Sequence, residues 1–281
     1  MQAVWSLWSK PMLLGDERWQ TRRHHLLSWV VSVNVAKRHY AKTSIVTDRE
    51  GATLLVDQLQ LPFETVDTSL DGVADEHPRI WALGKLVAYS LQRQPFVHLD
   101  SDVYLWRELP GELATSPIFA QNAEDDLWRR GYDPDAVESR IANVPAPWNH
   151  SRESGSGNWA PCCGILGGTN TSLIRAYAES ALQWIRVSGS NSWAELETVT
   201  EPCIHIEQYY LACFADYHRA KFTFLFKKPD DSYDLSIARR YGYTHLIGGA
   251  KKNPEVLARL EARVKRDWPE YYERVNAICP E

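Results

Sequence analysis

The sequence predicts an α/β protein built on a mostly parallel central sheet flanked by helices. Short apolar or β-branched runs alternate with longer stretches of helical periodicity through the first hundred residues. Their β-α-β-α-β-α-β order is the one a parallel sheet requires. The last of these runs, Pro95 to Leu99, delivers two aspartates at its end, where open α/β sheets place their ligands.

The elements follow in order. Gln2 to Trp8 is the first strand candidate. Trp19 to Tyr40 carries Leu26, Leu27, Val30, Val31 and Val33 at helical spacing. Thr43 to Thr47 is a β-branched run, and Asp48 is placed to cap the helix that follows through about Leu59. Phe63 to Val66 is a short strand candidate, and Ile80 to Leu91 a helix with Leu83, Leu86 and Val87 on one face.

Beyond the fourth strand the pattern loosens. Pro117 to Asn122 suggests a strand, and Glu124 to Asn143 two short helices split near Gly131. Asp133-Pro134-Asp135 is helix-start chemistry. Pro145 to Trp159, rich in Pro, Ser and Gly, reads as a mobile loop. Cys162 to Leu166 is a strand ending in Gly167-Gly168, with Thr169 or Asn170 capping a helix from Ser172 to Arg186. Cys203 to Tyr217 is helical, Phe222 to Phe226 a strand, and Tyr243 to Ile247 a short strand or turn. Pro254 to Ala277 is a charged helical stretch.

Composition narrows the function. With 31 basic and 36 acidic residues the net charge is −5, so no basic excess exists to bind a phosphate backbone, and nucleic acid is not the expected partner. No apolar run is long enough for a transmembrane segment. The N-terminus lacks the apolar stretch of a signal peptide. The 5 cysteines have no CxxC or zinc spacing, and reduced thiols in a cytoplasmic protein are expected. Most of the 12 tryptophans belong in a core, though some could line an acceptor groove.

Two segments could do chemistry. In Phe96-Val97-His98-Leu99-Asp100-Ser101-Asp102, carboxylates two positions apart share a face if the strand persists. Hard oxygen donors of that kind suit Mg²⁺ or Mn²⁺. The alternative is a pair of solvated turn residues. In Tyr243-Thr244-His245-Leu246-Ile247-Gly248-Gly249-Ala250-Lys251, an imidazole could complete a metal shell, glycines could admit a phosphate, and a lysine could meet its charge. The alternative is a structural histidine beside a surface turn. His98 is expected to be a satisfied core residue, and His24, His25 and His205 to be structural. No Gly-x-Ser-x-Gly elbow and no phosphate-binding GxxxxGK[ST] loop is present.

Taken together these runs resemble glycosyltransferase family 8 and its GT-A relatives. The resemblance spans Gln2 to Lys252. It rests on the order of Leu-Asp-Ser-Asp-Val, Cys-Gly-Ile-Leu-Gly-Gly, Ile206-Glu207-Gln208 and His245-x-x-Gly248-x-x-Lys251. It implies a single GT-A (nucleotide-diphospho-sugar transferase) domain over 1–281. Its parts would be a nucleotide-binding half (1–110), a donor-sugar and acceptor half (111–252) and a C-terminal helical segment (253–281).

The resemblance also implies roles. Asp100, Asp102 and His245 would form the metal group, with Asp100 also meeting the ribose or a metal-bound water. Lys85, Ser101, Gly248 and Lys251 would bind the donor, and Gly167 and Gly168 would leave room for its sugar. Glu207 and Gln208 would lie near the reacting carbon, with Lys251 assisting departure of the diphosphate. The donor would be a UDP-sugar, the outcome retaining, and the acceptor a glycan, a peptide or protein, or a small molecule. Cys162-Cys163 before the glycine, Glu207 for an aspartate and Asn253-Pro254 after the lysine depart from the family pattern. A nucleotidyltransferase of related fold would need a Gly-rich basic loop after the first strand, and Ser9 to Gly15 is a poor match. A non-catalytic sugar-nucleotide or peptide-binding module would keep the site without turnover.

Overall fold

The structure, a computed structural model, describes residues 1–15, 18–127, 130–196 and 202–280. Its strands are β1 (Gln2–Leu7), β2 (Thr43–Thr47), β3 (Thr65–Asp67), β4 (Phe96–Leu99), β5 (Val103–Leu105), β6 (Ile118–Ala120), β7 (Ala123–Glu124), β8 (Ala160–Pro161), β9 (Ile165–Gly168), β10 (Phe222–Phe224) and β11 (Tyr243–His245). Seven of them form one sheet in the order β10-β6-β9-β4-β1-β2-β3. β3, β2, β1 and β4 pair in parallel with one another, as do β6 and β10. Only β9 is antiparallel, to both β4 and β6. The predicted mixed α/β class, with a mostly parallel sheet, is what is found.

Alternation along the strands builds two apolar layers. Ala3, Trp5 and Leu7 of β1 join Val97 and Leu99 of β4 in one layer, against the helix Arg22–Ala36 and the helices Pro254–Asp267 and Pro269–Ile278. Val4 and Phe96 face the other layer, which the helices Leu83–Leu91, Thr171–Ser188 and Tyr210–Tyr217 cover. Side chains two apart sharing a face is the pleat's own periodicity.

Local capping agrees with the sequence at several points. Asp48 accepts from the Gly51 amide at 2.8 Å, Asp133 from Ala136 at 3.0 Å and Asn170 from Leu173 at 3.1 Å. Three expectations are corrected. Pro145 to Trp159 is not a bare loop: Pro145 precedes a helix, Ala146–Ser154, whose Trp148 is fully buried against Trp184 and Tyr209. Glu124, expected to open a helix, lies in β7, and the helix begins at Pro134. Part of that expected segment, 128–129, lies outside the described residues. The C-terminal helical stretch is two helices, broken where Pro269 follows the non-helical Trp268.

Among the described residues no helix is long and apolar enough to cross a membrane.

Candidate active site

The carboxyl ends of β1 and β4 lie side by side in the parallel sheet and open a cleft. Ser6, Leu7 and Trp8 form one wall, and Asp100, Ser101 and Asp102 the floor. Trp19, His25, Trp29 and Trp81 add aromatic walls, and Arg18, Lys85 and Lys251 bring positive charge. Trp19 stacks on His25 with ring centres 5.6 Å apart, and the Arg18 guanidinium lies 4.6 Å from the Trp81 ring centre.

The chain returns to this floor through a short antiparallel pair. β11 pairs with β5 so that His245 faces Val103, and the Leu246 amide donates to the Asp102 carbonyl at 3.0 Å. That register sets the His245 ring beside the second aspartate. Its Nε2 lies 3.5 Å from Asp102 Oδ1. Ligand atoms of Asp100, Asp102 and His245 all fall within 4.8 Å of one another. The sequence placed these three together, and the structure brings them together.

The donor set fits a divalent cation. Two carboxylates supply hard oxygen, and the imidazole is held as a metal ligand commonly is, by a partner on its other nitrogen. Here the partner is Gln121, whose Oε1 accepts from His245 Nδ1 at 2.7 Å and from the Tyr243 hydroxyl at 2.6 Å. With the proton on Nδ1, the Nε2 lone pair faces Asp102. Gln121 follows β6 and carried no motif, so the sequence did not reveal it.

The glycine that the site itself requires is Gly164, not Gly167 or Gly168. A Cβ on Gly164 would sit 2.5 Å from the His245 ring and 2.8 Å from Gln121 Oε1. The Gly164 carbonyl also accepts from the Asp100 amide at 3.0 Å. Gly167 and Gly168 pair with Val97 and Phe96, at the far end of β4 from Asp100. A Cβ on either would meet backbone oxygen at 2.1 Å, so both serve close strand packing.

Lys85 organises the other side. Its ammonium reaches Asp100 Oδ1 at 2.8 Å, Glu207 Oε1 at 2.7 Å and the Cys163 carbonyl at 3.1 Å. Burial opposes its charge, but Asp100 and then Glu207 outweigh burial and raise its pKa. One ammonium faces two acids. Burial raises both the Asp100 and Glu207 carboxyls, and Asp100 in turn repels Glu207. Glu207 is 0% exposed, with Tyr89 also on Oε1. It therefore reaches the cleft only through Lys85.

Asp102 is different. Burial disfavours its charge, yet Lys251 and His245 hold it well below the usual carboxylate range. The Lys251 ammonium lies 2.5 Å from Asp102 Oδ2. Gly248 starts the turn that carries Lys251 and has a positive φ of 52°. Gln208 sits in the π-helical turn His205–Tyr209 and lies 2.7 Å from the Tyr132 hydroxyl. Wide turns of this type recur at functional sites.

Of the histidines expected to be structural, His25 belongs to the cleft: its Nε2 lies 3.3 Å from Ser101 Oγ. His98 is a core residue as expected, 2.9 Å from Ser6 Oγ, with its pKa pushed well down by burial and by Lys85. His205 accepts from the Asp133 amide at 2.8 Å. The cysteines are all free thiols, and burial pushes those of Cys162 and Cys163 up.

Residues 1–278 match the family of unknown function DUF6734, and the chain belongs to that family. No curated protein matches its sequence. Among solved structures it is similar to the galactosyltransferase LgtC in complex with donor and acceptor sugar analogs, at 11% identity and a TM-score of 0.49, over 96% of this chain and 100% of that one. A structure of an active-site mutant of LgtC gives 12% identity and a TM-score of 0.46 over the same shares. The bifunctional glycosyltransferase WbbM, in its apo structure, gives 12% and 0.49 over 98% of this chain. This chain spans 51% of the WbbM chain.

Proposed function

We propose that this chain is a metal-dependent glycosyltransferase that moves a sugar from a nucleotide-diphospho-sugar, UDP-linked, to an acceptor hydroxyl with retention of configuration. The observation that carries it is the convergence of Asp100, Asp102 and His245 at the carboxyl end of β4, beside a cleft walled by aromatic and cationic side chains. Such a cleft suits a ligand with a flat base, a polar sugar and a strongly anionic link.

Each residue then has a task. Asp100, Asp102 and His245 would hold Mn²⁺ or Mg²⁺, whose charge would offset that of a leaving diphosphate. Gln121 keeps His245 in the ligating tautomer. Lys251 neutralises Asp102 in the structure and, within the same cleft, is the cation we assign to the leaving phosphate oxygens. Lys85 holds Asp100 in place, and Ser101 and His25 offer polar contacts to the donor. The bond from the anomeric carbon to the phosphate oxygen breaks, and one to the acceptor oxygen forms. The acceptor proton and the nucleoside diphosphate leave. A cytoplasmic setting is part of the same proposal.

A nucleotidyltransferase reading is disfavoured by the segment after β1. Ser9–Leu13 is helical, and Ser9 commits its amide and hydroxyl to Asp48 at 2.8 and 2.9 Å. No Gly-rich phosphate loop stands there.

The test is a melting-temperature panel of nucleoside diphosphates and nucleotide sugars, with and without Mn²⁺, followed by an assay for release of the nucleoside diphosphate. A ligand that binds the folded chain raises its melting temperature by mass action, by about 2.7 kcal/mol of stability at a hundredfold excess over Kd. A metal-dependent rise with UDP-sugars, and UDP release, supports the proposal. No stabilisation by any nucleotide in Mn²⁺ rejects it, and binding without turnover leaves a non-catalytic module.

A further inference from the structure

Tyr132 is asked for more than it has. Its hydroxyl lies 2.7 Å from Glu124 Oε2 and 2.7 Å from Gln208 Oε1, both acceptors as placed. A phenol carries one hydrogen. Burial raises the Glu124 carboxyl against the pull of the Tyr132 hydroxyl and of Arg130; while it is ionised it has no hydrogen to give, and the hydroxyl donates to it. The contact to Gln208 is then an acceptor facing an acceptor unless the amide turns. The two ends of a glutamine amide are assigned from just such networks. With the amide turned, Gln208 Nε2–H donates to the Tyr132 oxygen and Tyr132 O–H donates to Glu124.

The surroundings make this relay stiff. Tyr132 is 2% exposed, and its ring packs edge-on to His205 with centres 5.8 Å apart. It also packs against Tyr209. Glu124 is pinned in β7, paired with Ala160 of β8. Gln208 itself is half-buried, next in the chain to the Glu207 that anchors Lys85. We propose that Glu124 and Tyr132 are positioning residues that fix the amide of Gln208 with its nitrogen inward. That orientation turns the Gln208 carbonyl oxygen away from Tyr132. A carbonyl dipole stabilises positive charge developing on a sugar, whereas an NH₂ edge opposes it. That last consequence rests on the glycosyltransferase proposal; the relay does not.

The experiment therefore has two arms. In ¹⁵N-labelled protein the Gln208 side-chain amide pair is identified by its disappearance in Gln208→Ala. One of its protons should be shifted and should exchange about tenfold or more slowly than those of exposed glutamines, as a buried donor does. Tyr132→Phe should abolish this. Glu124→Leu should abolish it with Tyr132 still present, because the phenol then has no carboxylate to donate to and turns its O–H to the Gln208 carbonyl. Fast exchange of both Gln208 protons in the wild type, or unchanged signals in Glu124→Leu, overturns the relay.

The second arm follows transfer of the donor sugar to water. Both variants should lose about tenfold or more in kcat, with KM for the donor changed less than about twofold, since orientation acts on the transition state. An unchanged kcat in both variants overturns the positioning role. A protected Gln208 proton in a wild-type protein that turns over no donor sustains the relay and rejects the glycosyltransferase reading instead.

Discussion

The two ends of the acidic pair are held in different ways. Asp100 leans on Lys85, and Lys85 on the fully buried Glu207, so that charges from a helix, a strand end and a π-helical turn lock together from the cleft floor inward. Asp102 faces Lys251 and His245, which arrive from the far end of the chain on β11 and the turn after it. The first cluster has an inside partner, Glu207, for its cation. The second has a cation at the cleft surface that a ligand can take over. One end is a scaffold and the other is the working edge.

That contrast can be broken by mutation. Lys85→Met should be the most damaging change. It strands two carboxyls in the interior, and losing one partner of a buried charge group costs about 3–5 kcal/mol. Urea unfolding measures it, and a loss below about 1 kcal/mol would erase the distinction between the two ends.

Asp102→Asn should cost less stability than Lys85→Met, because it leaves one partly exposed cation unpaired and not two carboxyls, and it should have a large effect on function. Removing one electrostatic contact to developing charge costs about a hundredfold or more in kcat. Melting temperature and nucleoside-diphosphate release, measured on the same preparation, separate the two effects.

Gln121→Leu sharpens the comparison on the His245 side. It frees Nδ1 and leaves every direct ligand in place. Losing such a supporting contact costs about 10- to 100-fold in metal affinity. Titration with Mn²⁺ reads this directly, and an unchanged affinity would mean that Gln121 does not set the tautomer.

The smallest effect lies away from both ends. Burial lowers the His205 pKa from 6.5 to about 4, and its Nε2 must stay unprotonated to accept from Asp133. The unfolded chain therefore binds a proton that the fold refuses as pH drops below 6.5. Stability from this group is complete above 6.5 and declines toward pH 4, by roughly 2 kcal/mol between pH 7 and 5. His205→Asn should flatten that part of the pH dependence, measured as urea midpoints at the two values.

Much of this was legible beforehand because it is local. The alternation of β-branched runs with helical periodicity gave the parallel half of the sheet, and Asp48, Asp133 and Asn170 cap helices as their positions suggested. The DxD and the late histidine were visible as residue types and order. What the sequence hid depends on register. Gly167 and Gly168 stood out as a pair, but β9 runs antiparallel to β4 and carries them away from Asp100, leaving the single Gly164 at the site. Gln121, Tyr132 and Glu124 carry no motif, and only the approach of β6, β7 and β11 gives them partners. The segment after Pro145 looked like a loop by composition, yet burial of Trp148 overrides that preference.

The most direct test of the central claim is Mn²⁺ binding followed by electron paramagnetic resonance in the presence of UDP, for the wild type and for Asp102→Asn and His245→Ala. The account predicts one ion bound per wild-type chain and loss of that binding in both variants, each still folded. Equal Mn²⁺ binding in all three proteins would contradict it.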